Sequence, residues 1–228
     1  MSTSKISALE PREEPLVFEN WGLLDYDEAM QRQLEYVHRV AEEDRAGYLI
    51  FCTHPPVVTL GRATQPGDVH GWRGKVVEVS RGGRATYHGP SQIVVYPILN
   101  LKLSRRGRAP REVVGFLRDF EDAIVQTLAH FGIQAQGRSL QKRKDSEADE
   151  TGVWVQNRKV ASLGIAVKKW VTYHGAAVNF AKDSQAFQGL NPCGFQPSVI
   201  ASVEELAPQT ILRQNFEQVL AEKLLIAL

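Results

Sequence analysis

Gly152-Val-Trp-Val-Gln-Asn-Arg-Lys-Val-Ala-Ser-Leu-Gly-Ile-Ala-Val-Lys-Lys-Trp-Val-Thr-Tyr-His-Gly-Ala-Ala-Val-Asn-Phe180 is the stretch on which the fold turns. It is rich in Val, Ile, Thr, Tyr and Trp, which suit a pleated, half-buried surface. Two short polar breaks divide it, Gln156-Asn157-Arg158 and Lys168-Lys169. Breaks that short make hairpin turns, so Gly152 to Gln156, Arg158 to Val167 and Trp170 to Phe180 read as an antiparallel meander.

Upstream, Tyr48 to Thr53, Val57 to Leu60, Val76 to Ser80 and Ile93 to Leu99 are further apolar runs of strand length, and Pro15 to Phe18 is a shorter one. His54-Pro55-Pro56 separates the first two. Three segments have helical spacing instead. In Asp25 to Glu43, Tyr26, Met30, Leu34, Val37 and Ala41 share a face, and Asp25 is placed to cap it. In Arg111 to Phe131 the face is Val113, Leu117, Phe120, Ile124 and Leu128. The last helix is expected from Pro208 to Leu225. Strands come in groups and helices stand apart, which predicts an α+β fold: a mostly antiparallel sheet flanked by helices.

At 228 residues the chain reads as a loose polar tail, 1–14, and a single domain, 15–228. A formal charge of +1 supplies no broad field for nucleic acid or membrane, so neither is expected as a partner. No apolar run is long enough to span a bilayer. Two cysteines make neither a disulfide framework nor a zinc site, and they suit a reducing compartment. The N-terminus has no signal-like apolar core, so the expected location is cytoplasmic. Arg138 to Glu150 carries a basic and then an acidic block without an apolar face, and reads as a solvated loop.

The chemistry centres on Asn191-Pro192-Cys193-Gly194. Pro and Gly exclude a regular strand or helix there, which puts Cys193 on a turn. A cysteine nucleophile needs a cationic or basic neighbour to become thiolate. Lys159, opening an apolar strand, is a candidate, because burial readily lowers a lysine pKa. Spacing alone leaves open whether the two meet. Cys52, inside an apolar run, reads as core. Arg81-Gly82-Gly83-Arg84-Ala85-Thr86-Tyr87-His88-Gly89 offers backbone amides for close approach of a ligand. It lacks the Walker pattern of a phosphate loop. Tyr173-His174-Gly175 repeats its Tyr-His-Gly element.

Taken together, these residues resemble a family. His54-Pro-Pro-Val-Val-Thr-Leu-Gly-Arg62, Arg81 to Gln92, Gly152-Val-Trp-Val155, Lys159-Val-Ala-Ser-Leu-Gly164, Trp170 to Gly175, Asn179-Phe180 and Asn191-Pro-Cys-Gly194 run in the order found in octanoyltransferases of lipoate biosynthesis. The resemblance spans roughly residues 15 to 215 and implies a biotin/lipoate-ligase-like fold. It implies an acyltransferase moving octanoyl from octanoyl-acyl carrier protein to a lysine of lipoyl domains, in 2-oxoacid dehydrogenases and the glycine cleavage H protein. It implies a thioester on Cys193, with Lys159 as its partner, and neither cofactor nor metal. Substrate binding maps onto Arg81, Gly82, Gly83, Arg84, Ala85, Thr86, Tyr87 and His88, onto Ser162, Leu163 and Gly164, and onto His174, Gly175, Ala176 and Ala177. Leu163 and Ala176 are expected along an acyl tunnel, and Arg62, Arg81 and Arg84 on a docking patch for acidic proteins. Two rivals stay open: an ATP-dependent lipoate-protein ligase of the same fold, which needs no Cys193, and a non-catalytic acyl-binding module.

Overall fold

The computed structural model describes residues 14–139 and 148–228. In chain order the elements are β1 (Val17–Leu23), α1 (Tyr26–Glu43), β2 (Gly47–Thr53), β3 (Val57–Leu60), β4 (Lys75–Glu78), β5 (Thr86–His88), β6 (Gln92–Leu99), α2 (Val113–His130), β7 (Gln136–Gly137), β8 (Gly152–Val155), β9 (Arg158–Lys168), β10 (Val171–Asn179), α3 (Val203–Leu206) and α4 (Arg213–Ala227). A large sheet has the order β1-β2-β6-β10-β9-β8-β7, and a small one the order β4-β3-β5. Among the described strands only β1–β2 in the large sheet and β3–β4 in the small one pair in parallel. The α+β, mostly antiparallel expectation therefore holds.

Side chains alternate between the faces of the large sheet, as the period of a strand dictates. Leu49 and Phe51 of β2 and Ile93 and Val95 of β6 point into one core, with Phe116, Phe120 and Ile124 of α2 and Phe216 and Leu220 of α4. Tyr48, Ile50 and Cys52, with Val94, Tyr96 and Ile98, point the other way, towards Val37 and Val40 of α1. Both faces are covered, which explains why β2 and β6 are near-continuous apolar runs. The meander closes through turns of the primed kind: Lys169 and Trp170 both have positive φ, 53° and 63°.

Several boundaries differ from the sequence reading. β1 runs over Val17–Leu23, beyond the expected Pro15 to Phe18, because it pairs with β2 rather than standing on its own propensity. Thr86–His88, outside the strands expected from sequence, is a strand against β3. The last helix starts at Arg213, after a separate turn of helix, α3, that Ser202 and Glu205 close with a capping box. Asp25 caps α1 as expected, its carboxylate accepting the Asp27 N–H at 2.9 Å. The proposed tail lies outside the described residues except for Glu14, whose carboxylate accepts the Ala46 N–H at 2.6 Å. Of the charged segment 138–150, residues 140–147 lie outside the described residues; near its end Asp149 is buried, against the solvated reading, whereas Glu150 is exposed. No helix among the described residues is long and apolar enough to cross a membrane.

Candidate active site

Pro192-Cys193-Gly194 forms a single 3₁₀ turn, and Cys193 sits in it with φ 55° and ψ 20°. Left-handed backbone is costly for a residue with a Cβ and persists only where the surroundings enforce it. Here they do. The Cys193 N–H donates to the Ala85 carbonyl at 2.9 Å, and its own carbonyl accepts the Asp149 N–H at 2.7 Å. Asn191 is held by the Asp68 carbonyl (2.8 Å) and through its side chain by Gly67 (3.0 Å). On the other flank, Arg84 forks onto the buried Asp68 carboxylate, with Nε to Oδ2 at 3.1 Å. A Cβ on Gly194 would run into that guanidinium, so the glycine is what lets Arg84 approach.

Lys159 lies on β9 with no exposed surface. Its Nζ donates to the Asp149 carbonyl at 3.0 Å and sits over the rings of Trp154 (5.6 Å) and Phe195 (5.9 Å). The Asp149 residue thus bonds Cys193 through its N–H and Lys159 through its C=O. Residues 34 positions apart in sequence are joined by one intervening residue, a link that spacing could not reveal.

Cys193 opens onto a cleft whose empty space, counting the part open to solvent, is about 440 Å³. Of the residues expected at a binding site, Arg81, Gly83, Arg84, Thr86, His88, Ser162, Leu163, Gly164, His174, Gly175, Ala176 and Ala177 line it with Cys193. Gly82, Ala85, Tyr87 and Lys159 do not line it. Gly82 donates its N–H to Ile165 (3.2 Å), tying the small sheet to the large one, and Ala85 holds Cys193. Tyr87 turns away to pack on Trp72 and Phe187. Lys159 stands behind Asp149. The expected docking patch is corrected: Arg81 and Arg84 are 7% and 9% exposed and wall the cleft, and only Arg62 is on the surface.

The sequence reading missed four lining residues: Tyr26, Val94, Tyr96 and Asp149. The first three read as core, and they are both core and cleft floor. Asp149 read as loop because it follows a charged run. Its one available signal was proximity to Gly152-Val-Trp-Val155.

The cleft floor is kept uncharged by burial. Burial holds His88 well below its ordinary range, and burial, then the Arg81 charge, depress His174 to about 3. Burial pushes the Tyr26 phenol up to about 12. His88 stacks on Tyr26, centroids 5.7 Å apart. These neutral imidazoles and phenols lie beside the apolar Val94, Leu163 and Ala176 in the lining. His174 has positive φ, 59°, within β10, and the Gln33 side chain accepts its N–H at 2.8 Å. Arg81 is buried, and Gly164 leaves room for its side chain. Its guanidinium donates to the carbonyls of Gly82, Arg84 and Thr59 and to Thr59 Oγ1 at 2.7–3.0 Å. Burial pushes the Cys52 thiol up to about 12. Among the described residues no group of three or more His, Cys, Asp or Glu is arranged to hold a metal ion.

The lipoyl protein ligase A/B catalytic domain family matches residues 25–225. An octanoyltransferase of Bdellovibrio bacteriovorus is 54% identical over 92% of this chain and 97% of its own length. One from Shewanella frigidimarina is 33% identical, over 90% of this chain and 92% of its own. Among solved structures, lipoate-protein ligase A bound with ATP superposes with a TM-score of 0.63 at 16% identity, over 92% of this chain and 83% of that one. A bipartite lipoate protein ligase from Thermoplasma acidophilum gives 0.61 at 16% identity, over 93% and 82%. At that identity the structures share the fold alone.

Proposed function

We propose, given that this chain belongs to the lipoyl protein ligase A/B catalytic domain family and is an octanoyltransferase acting in protein lipoylation, that it works in two steps through an octanoyl-Cys193 thioester. The donor is octanoyl-acyl carrier protein. The acceptor is a lysine of a lipoyl domain, in 2-oxoacid dehydrogenases and in the glycine cleavage H protein. The location is the cytoplasm, which suits two free cysteines. The working unit is one domain over residues 15–228.

In the first step the Cys193 thiolate attacks the octanoyl carbonyl. The carrier's pantetheine thiolate leaves and takes a proton from the Lys159 ammonium. That leaves octanoyl-Cys193 and a neutral Lys159. In the second step Lys159 takes a proton from the acceptor ammonium, and the freed amine attacks the thioester. The tetrahedral adduct collapses to the amide, the Cys193 thiolate leaves, and one further proton goes to solvent. Thioester exchange is nearly isoenergetic and thioester to amide is downhill, so the acyl group needs no activation by ATP.

The oxyanion of each adduct needs donors. The amides of Cys193, Gly194 and Phe195 already donate to Ala85, Asn191 and Pro192 carbonyls. We therefore assign the role to the Gly83–Arg84 stretch, which also lines the cleft.

The observation that carries this reading is the Asp149 link between Cys193 and the buried Lys159. The test is intact-protein mass spectrometry after mixing with octanoyl-acyl carrier protein, followed by addition of a lipoyl domain without ATP. One octanoyl group gained and then passed on supports the reading. Transfer that requires ATP would restore the ligase alternative.

A further inference from the structure

We propose that Asp68 is a positioning residue for the nucleophile: acting through Arg84 and Asn191, it fixes where the Cys193 thiol stands relative to the Gly83–Arg84 donors. This rests on the two-step reading above and is tested on its first step.

Asp68 is 1% exposed. Its carboxylate takes the fork of Arg84, Nε to Oδ2 at 3.1 Å and Nη2 to Oδ1. Oδ2 also accepts the Gln65 N–H at 3.0 Å. The hydrogen bonds to Asp68 raise the Arg84 pKa above its ordinary value; burial opposes the rise, and the Cys193 and Asp149 charges add to it. Held in this way, the guanidinium lies flat against the turn: a Cβ on Gly194 would stand 2.7 Å from Arg84 Cζ.

The backbone beside Asp68 grips the other end of the same turn. The Asp68 carbonyl accepts the Asn191 N–H at 2.8 Å. Val69 bridges Leu190, and the N–H groups of His70 and Gly71 donate to the Gly189 carbonyl at 2.9 and 3.1 Å. Asp68 thus closes a ring of contacts that runs through Asn191, Gly194 and Arg84. Cys193 lies inside that ring, in left-handed backbone that its surroundings must enforce. Arg84 is bonded in the chain to Ala85, whose carbonyl accepts the Cys193 N–H at 2.9 Å. A shift of Arg84 therefore moves the thiol and the oxyanion donors relative to one another. A misplacement of about 1 Å costs about 100-fold in rate.

Asp68→Asn keeps the shape and removes the charge from the fork. Two single-turnover rates at Cys193 are read by mass spectrometry, with circular dichroism as the folding control. One is acylation by octanoyl-acyl carrier protein. The other is alkylation by iodoacetamide, which needs the thiolate but no oxyanion donor. Acylation should fall about 10- to 100-fold, while alkylation stays close to that of the unmodified enzyme. Adding Arg84→Gln to Asp68→Asn should cost little more than the worse single change, because both act through one contact. Arg84→Lys keeps the charge but loses the fork. It should also slow acylation, and it decides the matter if Asp68→Asn does not fold. Unchanged acylation in folded Asp68→Asn or in Arg84→Lys overturns the proposal. So does an equal fall in acylation and alkylation, which would make Asp68 a support for the thiol's reactivity rather than its placement. Effects that multiply in the double variant overturn it as well. Absence of any octanoyl-Cys193 in the unmodified enzyme would instead overturn the two-step reading beneath it.

Discussion

Gly152 has no side chain where Lys159 passes it: a Cβ there would lie 2.9 Å from Lys159 Cε and would run into the Ala161 carbonyl. Gly152 also has φ 139°, a conformation open essentially to glycine alone. Gly152→Ala is therefore expected to cost about 1–3 kcal/mol of stability. It should also slow octanoyl-Cys193 formation, because the Lys159 stem must move. Urea unfolding and single-turnover acylation measure the two effects. An alanine variant matching the parent in both would show that the lysine does not depend on this gap.

Lys159→Ala should fold and lose roughly 10²- to 10⁴-fold in turnover, the range for removing a group that moves protons in the transition state. Lys168 and Lys169 cannot substitute, since they lie at the far end of β9 and in its turn. Lys159→Arg should be nearly as poor, because a guanidinium keeps its proton at neutral pH. Steady-state assays with circular dichroism as the folding control decide it. Near-normal turnover in both variants would remove Lys159 from the chemistry.

Only Cys193 should be acylated. Cys52 sits in β2 with its thiol pushed up to about 12 by burial, beside His54 at 3.3 Å. That leaves essentially no thiolate at neutral pH. Peptide mapping after octanoyl-acyl carrier protein should place the adduct on Cys193. Cys193→Ala should abolish adduct and transfer, and Cys52→Ala should spare both. An octanoyl group on Cys52 would contradict the assignment.

Acid should weaken the fold earlier than carboxylate titration alone implies. An unfolded histidine binds a proton near pH 6.5, but His174 in the fold does so only near 3, and burial also lowers His88 and His54. Between those values the unfolded chain holds more protons. The stability due to neutral His174 is whole above pH 6.5 and is lost as pH falls towards 3, at up to about 1.4 kcal/mol per pH unit. Melting temperatures should drop from pH 6.5 to 4.5, and His174→Gln should flatten the slope. A profile level across that window would count against burial of neutral imidazole.

The sequence by itself determined the elements and the family. The meander from Gly152 to Phe180 and the three amphipathic helices are local patterns, set by side-chain period and turn chemistry, and they recur in the structure with shifted ends. The Cys193 turn was equally legible, because Pro192 and Gly194 restrict the backbone on the spot. Only the tertiary structure decided what surrounds that turn. It brought β9, the Gly82-Gly83 stretch and Asp149 to Cys193 across long sequence separations. It made Arg81 and Arg84 cleft walls rather than surface. It turned Asp149, at the end of a charged run, into the residue joining Cys193 to Lys159. The physical reason is that a charged residue reads as solvated from its neighbours in sequence, whereas its burial depends on hydrogen-bond partners that only folding supplies.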